Sequence, residues 1–571
     1  MKRIGLVFGL AALWLGGVAF SAHGFSLLDD KLSISGYVQN QSSYRVGGDP
    51  DQWVSSENRL QVEMEAKLYP NVKLFGVFRG IYDAIYDLRS DSDQWKRDYA
   101  GSRNNLSTEY KMRELYMDAS LGKWDFRIGK QQVVWGETDG LRLMDIINPL
   151  DMRRQFITRS WEDIRIPLTM VKATYGISTQ HNAFLELLWN PGDVRRDKIY
   201  FDTTLSDDHK SPWTISNPPL FEKMQIDAPI VIASGPLAGV PLTTTAPPFL
   251  LDTPTMRQLG ILNVAEEDTP SWINVNKSEF GARLGGEGGG WFLTLNYWQG
   301  FSKSPVIKYD GGGLLGIGNL LPADFIGGTN PDVFVPFPPG QLPTNTVIGA
   351  YLAGAFGVGP YTALQQPFPI NVRLEYPRER VIGFTFNKPT GLWVWRGEFA
   401  TYVDKHYNIL GKGDDWSPYI GVLNNAFVRG DMIAEKTMQA SMLGFDYKRL
   451  ITWLNPEKMF FVSGQAFLHH IFDYDEELRF GPYSQKPRED SYALSLLVNT
   501  EYHMGRICPE VLVVYDAAAT GWYIKPRLEF KYGDHWRPEI GALVFTGDQY
   551  ELPFGELNNN DEIYVRLKYQ F

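Results

Sequence analysis

The sequence predicts an all-β protein: a transmembrane antiparallel β-barrel of about 18 strands (range about 16–18). Three observations predict it. Apolar and polar residues alternate along many segments, short and long connections alternate between those segments, and the chain ends in a strand whose last residue is Phe571. Short turns at one rim and long loops at the other are typical of outer-membrane barrels.

The N-terminus indicates the compartment. Lys2 and Arg3 precede an uncharged apolar run over residues 4–20, and small residues then offer cleavage sites. This pattern predicts a secretory signal peptide over residues 1–24, followed by one barrel domain over residues 25–571. A membrane anchor is the alternative, and the shortness of the run disfavours it. We therefore expect the protein in the Gram-negative outer membrane after signal cleavage.

Composition excludes several other classes of protein. The chain has 571 residues, a single cysteine and a formal net charge of −11. One cysteine excludes a disulfide scaffold and cysteine-rich metal proteins. The acidic balance argues against nucleic acid as a partner. After residue 20, no apolar stretch is long enough for a helical membrane span.

Alternation with a period of two indicates strands that have one apolar and one charged face. Over residues 60–68 every even position is apolar and every odd position is polar or charged, and residues 563–571 alternate in the same way. Such strands fit a barrel with lipid outside and water inside. They equally fit the surface strands of a soluble sandwich. Alternation alone does not separate these two folds.

The connections between strands favour the barrel. We expect strands near residues 32–45, 57–69, 72–82, 111–121, 124–135, 166–177, 182–190, 277–285, 291–300, 371–386, 391–402, 437–447, 458–468, 490–505, 509–519, 521–532, 535–545 and 561–571. Every second connection is short and the others are mostly long, among them residues 136–165, 191–276 and 301–370. A sandwich has no reason to sort its loops in this way.

The last strand and the aromatic residues agree with a barrel. Leu567, Tyr569 and Phe571 share one face and look like the C-terminal signal read by the barrel assembly machinery, which we expect as a partner together with outer-membrane lipid and lipopolysaccharide. Interfacial girdles require aromatic residues near strand ends. The candidates are Tyr69, Tyr82, Trp124, Trp135, Trp189, Trp298, Tyr402, Trp522 and Tyr523.

One motif carries a family resemblance. Residues 129–142 read Gly-Lys-Gln-Gln-Val-Val-Trp-Gly-Glu-Thr-Asp-Gly-Leu-Arg, and residues 147–151 read Ile-Asn-Pro-Leu-Asp. This stretch resembles the hallmark of DUF1302, a Gram-negative family of unknown function, and the resemblance extends from the strand at Gly36 to Phe571. It implies a porin-like outer-membrane barrel. Because some such proteins accompany envelope exporters or periplasmic lipid-carrier-like proteins, it also implies periplasmic or exporter partners, but no particular substrate.

No catalytic constellation stands out. No Gly-x-Ser-x-Gly motif occurs, and the glycine-rich stretches at residues 285–290 and 311–318 lack the context of phosphate-binding loops. His469 and His470 precede an acidic run over residues 473–477. This run is either a metal site or a solvated loop tip, and we favour the loop tip. We expect no enzyme activity, no cofactor and no metal ion.

The loop over residues 136–165 mixes arginines, acidic residues and apolar residues. Such a loop suits packing against a charged barrel wall, and we expect it to fold into the lumen as a constriction, with its arginines paired to wall carboxylates. An external, self-packed loop is the alternative. The candidate constriction residues are Arg142, Arg153, Arg154, Arg159, Arg165, Glu63, Glu65 and Glu114. Asn148 as N-cap and Pro149 at the first helical position predict a helix to about Ile157.

Two other loop segments, residues 228–254 and 311–372, are unusually apolar. They are expected to plug the lumen, to cap its mouth or to dock a partner, or else to pack on themselves.

Three functions therefore stay open. The first is a channel or transporter for small hydrophobic or amphipathic molecules. The second is a general polar-solute porin. The third is a structural sleeve or docking module of an envelope export or electron-conduit complex.

Overall fold

The computed structural model describes residues 25–27, 31–47, 52–89, 103, 106–138, 141–154, 159–198, 262–266, 273–312, 370–409, 433–476, 478–479, 486–548, 551 and 553–571. The expected signal peptide, the apolar segment 228–254 and nearly all of the apolar segment 311–372 lie outside these residues.

The described residues are mostly β-strand. The strands are β1 (Phe25–Leu27), β2 (Leu32–Arg45), β3 (Gln52–Tyr69), β4 (Val72–Asp83), β5 (Thr108–Leu121), β6 (Trp124–Gln131), β7 (Leu168–Ser178), β8 (Ala183–Asn190), β9 (Leu262–Glu266), β10 (Glu279–Gly288), β11 (Trp291–Phe301), β12 (Val306–Gly312), β13 (Ile370–Glu375), β14 (Arg378–Thr390), β15 (Trp393–Ile409), β16 (Ile433–Arg449), β17 (Phe460–Ile471), β18 (Leu478–Arg479), β19 (Asp490–Asn499), β20 (Ile507–Asp516), β21 (Gly521–Phe530), β22 (Trp536–Thr546) and β23 (Glu562–Gln570). Short helices cover Ile85–Leu88 and Trp161–Ile164, and 3-10 turns cover Val275–Lys277 and Gly555–Leu557.

Eighteen of the described strands close into one antiparallel barrel. Each barrel strand pairs with the next along the chain, from β2 through β8, β10, β11, β14 to β17 and β19 to β23. The last strand then returns to the first: β23 pairs with β2 from Tyr37 opposite Gln570 to Arg45 opposite Glu562. The predicted fold class and strand number are confirmed.

The alternation of side chains follows from the pleat of each strand, which points successive residues to opposite faces. In β23, Ile563 and Val565 are exposed on the outside, whereas Tyr564 between them is fully buried inside the barrel. In β3, Leu60 faces outward, while Glu57 and Arg59 are buried on the inner face. The outward face is therefore apolar, as the sequence predicts, whereas the inward face is polar on some strands and apolar on others, where it carries residues such as Val381 and Met442.

The aromatic girdle is smaller than predicted. Tyr69, Trp189 and Trp522 face outward near strand ends and are exposed. By contrast, Trp135, Trp298 and Tyr523 are buried inside the barrel, and the Tyr402 hydroxyl bonds to an inner segment of the chain. Trp298 and Tyr523 lie on the inward face of their strands, whereas Trp135 lies beyond the end of β6.

The long connections contain β9, β12 and β18, which the sequence analysis did not predict, and the predicted strand 371–386 is divided between β13 and β14. In the region 191–276, β9 pairs in parallel with β13, which also pairs antiparallel with β12. These three strands form a sheet separate from the barrel. No helix in the described part of the chain is long and apolar enough to cross a membrane.

Candidate functional site

The candidate site is the inner loop, which we define as residues 132–167 between β6 and β7. Its described residues contact inward-facing side chains on both sides of the barrel. They pack against the wall formed by β8 to β19 and pair with the wall formed by β3 to β5. The inner loop therefore crosses the lumen between two opposite parts of the wall.

Near the start of the inner loop, Trp135 packs against a glycine of the barrel wall. Trp135 is 1% exposed, and its indole Nε1 donates a hydrogen bond to Glu186 Oε1 at 2.7 Å. Its ring meets Trp298 edge-on, with 6.2 Å between ring centroids. A Cβ at position 281 would lie 2.5 Å from the Trp135 ring. Gly281 on the inner wall therefore leaves the space that the indole fills.

The next part of the loop is apolar and packs on the same wall. Leu143, Met144 and Ile147 have no exposed surface. A second inward glycine receives Met144, since a Cβ at position 383 would lie 2.2 Å from its Sδ. The other members of this cluster are Val133, Trp135, Leu168, Met170, Leu188, Trp298, Val381, Ala400, Ala440, Met442, Phe467 and Ala493. Burial of this apolar surface holds the loop against the wall.

A buried carboxylate fixes the backbone of this part of the loop. Glu398 on β15 accepts hydrogen bonds from the backbone nitrogen of Glu137 at 2.6 Å and from that of Met144. Two further wall groups bind loop carbonyls: Tyr402 donates to Leu143 at 2.7 Å, and Arg396 donates to Glu137 at 2.8 Å. Glu398 and its neighbours thus satisfy loop backbone groups that would otherwise be buried without partners.

The opposite wall holds the loop by charge. Asp163 in the helix Trp161–Ile164 pairs with Arg59 at 2.9 Å and with Arg79 at 2.6 Å. Arg113 on β5 donates to the carbonyl of Arg165 at 2.9 Å. Burial opposes ionisation of Asp163, but the guanidinium groups of Arg59 and Arg79 outweigh it and hold the pKa of Asp163 well below its usual range. Asp163 therefore stays charged and paired at neutral pH.

Three of the five predicted loop arginines pair within the loop. Arg142 and Arg165 both bind Asp145, at 3.1 Å and 2.7 Å. Arg153 binds Asp151 at 2.8 Å. These pairs brace the loop rather than attach it to the barrel.

The remaining two arginines reach the wall, but at carboxylates other than those predicted. Arg159 pairs with Glu57 on β3, and Arg154 lies 3.8 Å from Glu109 on β5. None of the three expected wall carboxylates binds a loop arginine: Glu63 accepts from Gln61 at 2.7 Å, Glu65 pairs with Lys73 at 3.0 Å, and Glu114 accepts from Gln132 of the inner loop at 2.7 Å. The expected pairing with Glu63, Glu65 and Glu114 is therefore corrected. The role of all eight residues in a constriction stays a prediction.

The predicted helix from Asn148 is wrong over its described residues, 148–154. Asn148 does not cap a helix. Its Oδ1 accepts from the backbone nitrogen of Val133 at 2.8 Å, and its Nδ2 donates to the carbonyl of Ile166 at 2.9 Å. The backbone nitrogen of Ile166 donates to Pro149 at 2.7 Å, and Leu150 forms a bridge with Arg165. Pairing with the returning chain replaces the helix, and residues 155–158 lie outside the described part.

Towards the short-turn rim the lumen is lined by paired charges. Arg127 binds Asp118 at 2.7 Å on the β5–β6 wall. Arg527 and Arg566 both bind Glu539, at 3.2 Å and 3.1 Å, on the β21–β23 wall. Such a polar lining is compatible with water in this half of the barrel.

Two other predicted groups of residues have clear positions. Phe571 exchanges two backbone hydrogen bonds of 3.0 Å with Gly36, so the terminal residue takes part in closing the barrel. Its role as an assembly signal, with Leu567 and Tyr569, stays a prediction. His470 lies 2.9 Å from Asp490. Among the described residues, no group of three or more His, Cys, Asp or Glu side chains is arranged to hold a metal ion.

Sequence reasoning missed the wall residues that hold the inner loop, above all Glu398, Arg59 and Arg79. A signal existed for Arg59, because it lies at an inward position of the alternating segment in β3. Glu398 lies in the first part of β15 among mostly apolar and aromatic residues, and its charge at an inward position there, two residues after Arg396, was a further signal.

Comparison with known proteins supports the resemblance. The family model described as "Protein of unknown function (DUF1302)" matches residues 38–571. The chain belongs to this family. The match begins within β2 and ends at the last residue of this DUF1302 protein. No curated protein matches the chain.

Several solved structures are similar to this DUF1302 chain. OmpF of Salmonella typhi in complex with daunomycin is 8% identical, with a TM-score of 0.35, and covers 96% of this chain and 100% of its own. OccAB1 of Acinetobacter baumannii is 10% identical, with a TM-score of 0.40 over 96% and 98% of the two chains. OccK2 (OpdF) of Pseudomonas aeruginosa is 7% identical, with a TM-score of 0.41 over 95% and 97%.

Proposed function

We propose that this protein is an outer-membrane channel or transporter for small hydrophobic or amphipathic molecules, in which the inner loop forms the constriction. The observation that carries the proposal is the position of this loop, which is bound to opposite sides of the lumen through Glu398 and Asp163. A loop in that place narrows any path through the barrel, so it determines what passes.

The outer surface supports a membrane location. Outward positions along the strands carry exposed apolar side chains such as Leu295, Phe384 and Val565. In water such a surface would be costly, whereas lipid contact removes that cost. We propose that the chain inserts into the outer membrane after loss of residues 1–24, with the assembly machinery, lipid and lipopolysaccharide as its partners.

The substrate class rests on the composition of two segments in the long connections between strands. Within residues 311–372 only Asp324 and Asp332 are charged, and residues 228–254 are similarly apolar. Apolar loops do not help an entrance to bind polar solutes, whereas hydrophobic or amphipathic solutes partition onto apolar surface. This composition supports the proposed solutes over sugars or salts.

A general polar-solute porin is the second candidate, and one observation favours it. The half of the lumen nearer the short turns is lined by ion pairs such as Arg127 with Asp118. The two candidates share the constriction and differ only in the solute. The two candidates are separated by measuring the uptake of hydrophobic solutes in cells that express the protein without residues 228–254 or without residues 314–368. Only the first candidate predicts that this uptake falls.

The constriction is tested by replacing residues 140–160 with a short Gly/Ser linker and recording single channels in planar bilayers. We expect conductance to rise severalfold and ion selectivity to weaken, because the segment that crosses the lumen is gone. Heat-modifiable migration in gels checks that the barrel still folds. Unchanged conductance would place the path elsewhere, and a wild-type barrel that never conducts would favour the structural sleeve.

A further inference from the structure

One cation of the inner wall differs from its neighbours. Most inward arginines of the wall have partners: Arg59 and Arg79 bind Asp163, Arg127 binds Asp118, Arg396 binds Asp446, and Arg527 and Arg566 bind Glu539. Arg283 on β10 is half-buried, and in the described part of the chain its Nε is buried without a hydrogen-bond partner. Burying part of an unpaired cation is unfavourable and suggests that a ligand completes the site.

The nearest acidic side chain across the sheet is already engaged. Glu186 on β8 is the cross-strand neighbour of Arg283. It accepts the hydrogen bond of Trp135 at 2.7 Å and lies 3.7 Å from Lys172. Glu186 therefore serves the inner loop and Lys172. Glu137 and Glu398 also attract the guanidinium group of Arg283, but none of the three carboxylates forms a salt bridge with it in the described part of the chain, so its exposed part is open to a further anion.

An apolar ring lies beside this cation on the side towards the short turns. Phe184 points inward from β8, and its ring lies so close over Gly285 that a Cβ there would be 2.5 Å away. The centroid of the Phe184 ring is 5.9 Å from the Arg283 guanidinium carbon. A cation and a flat apolar surface at this spacing match the two ends of an amphipathic anion.

A third polar group completes the site. Asn296 on β11 is the other cross-strand neighbour of Arg283 and is 1% exposed. Its Nδ2 donates to Thr294 at 3.0 Å, while its Oδ1 has no hydrogen-bond partner among the described residues. This buried amide oxygen is an acceptor that a ligand hydroxyl group or a water molecule would satisfy once a neighbouring side chain moves aside.

We propose that Arg283, Phe184 and Asn296 form a binding subsite for amphipathic carboxylates, with the carboxylate on Arg283 and the hydrocarbon part on Phe184. The subsite lies between the inner loop at Trp135 and the short-turn rim, where a solute that has passed the constriction would meet it. It rests on the proposed transport function and narrows the substrate class to anions with an apolar body.

The test uses the full-length barrel in detergent and titrates it calorimetrically with 4-phenylbutyrate. Arg283→Gln should weaken binding about tenfold, because a charge-assisted contact is lost, and Arg283→Lys should retain part of the affinity. Binding of neutral 4-phenylbutan-1-ol should not change in Arg283→Gln but should weaken in Phe184→Ala. Heat-modifiable migration confirms that each variant is folded.

The matched control is Lys568→Gln. Lys568 is an inward cation of β23, eight strands from β10 around the barrel, and it lies over the Tyr37 ring at 4.3 Å. We expect it to leave 4-phenylbutyrate affinity unchanged. Equal weakening of binding by Arg283→Gln and Lys568→Gln would show that only the general electrostatic potential of the lumen matters, and it would overturn the subsite. Unchanged binding in Arg283→Gln would overturn it as well.

Bilayer conductance of the same samples tests the channel separately. Conduction without Arg283-dependent binding overturns only the subsite, and Arg283-dependent binding without conduction overturns only the channel.

Discussion

Removing the Glu398 carboxylate should release the apolar half of the inner loop from the wall. Glu398→Ala leaves the backbone nitrogens of Glu137 and Met144 without their acceptor. A buried backbone N–H group left without an acceptor costs about 1–3 kcal/mol, so leaving two of them unsatisfied disfavours the docked loop by about 3 kcal/mol. Each 1.4 kcal/mol is a factor of ten, so the undocked population should rise by about 100-fold.

The assay is thiol labelling of a cysteine placed at Leu143, which has no exposed surface in the docked loop. The only natural cysteine, Cys508, is first replaced by serine. With Glu398→Ala the labelling rate should rise by about 100-fold, in proportion to the undocked population. Glu63→Ala is the matched control, because Glu63 is an inward carboxylate that binds Gln61 and not the loop. Equal labelling rates in the wild type and Glu398→Ala would refute the role of this carboxylate.

Three further predictions concern the lipid face, the terminus and the charged anchor. Arg at Leu567, which shares the outward face of Val565, should cost about 2–4 kcal/mol of unfolding free energy in urea titrations, whereas Arg at the inward Gln570 should be tolerated. Deleting Phe571 should lower the amount of assembled barrel in cells more than it lowers the midpoint of unfolding. Because the pKa of Asp163 is depressed in the folded protein, its contribution is fully present above the unfolded pKa of about 3.9 and is lost at lower pH. The docking advantage of the wild type over Asp163→Asn, measured by labelling, should therefore be constant near neutral pH and shrink in acid.

The barrel was predictable because its signal is local. A strand with lipid on one face and water on the other repeats its pattern every two residues, and this can be counted without knowing its neighbours. The fifth expected strand, 124–135, shows the limit of this signal. The expected strand runs to Trp135, yet β6 ends at Gln131, because the backbone nitrogen of Val133 bonds to Asn148 instead of a neighbouring strand.

The site was predictable only in outline. The mixed composition of residues 136–165 indicated a loop packed against a charged wall, and the described residues of this loop do contact inward wall residues. The individual partners depend on how far each loop residue reaches into the lumen, which no local pattern encodes. Glu57 and Glu63 both point inward from β3, but they lie at different levels along the strand, and only Glu57 is close enough to pair with Arg159.

The two walls hold the inner loop by different chemistry, and Asp145 joins the two halves. Glu398 and the apolar cluster fix the part around Met144, whereas Arg59 and Arg79 fix Asp163. Between them Asp145 binds Arg165 at 2.7 Å and Arg142 at 3.1 Å, so a movement of one half is transmitted to the other.

If the loop docks as one unit, Asp163→Asn should also raise the labelling rate of the cysteine at position 143, although Asp163 is held by the opposite wall. Adding Asp145→Asn should uncouple the halves, so that only Glu398→Ala still affects position 143. If Asp163→Asn leaves the labelling rate at position 143 unchanged while Asp145 is intact, the loop has two independent anchors, and either half can leave its wall alone.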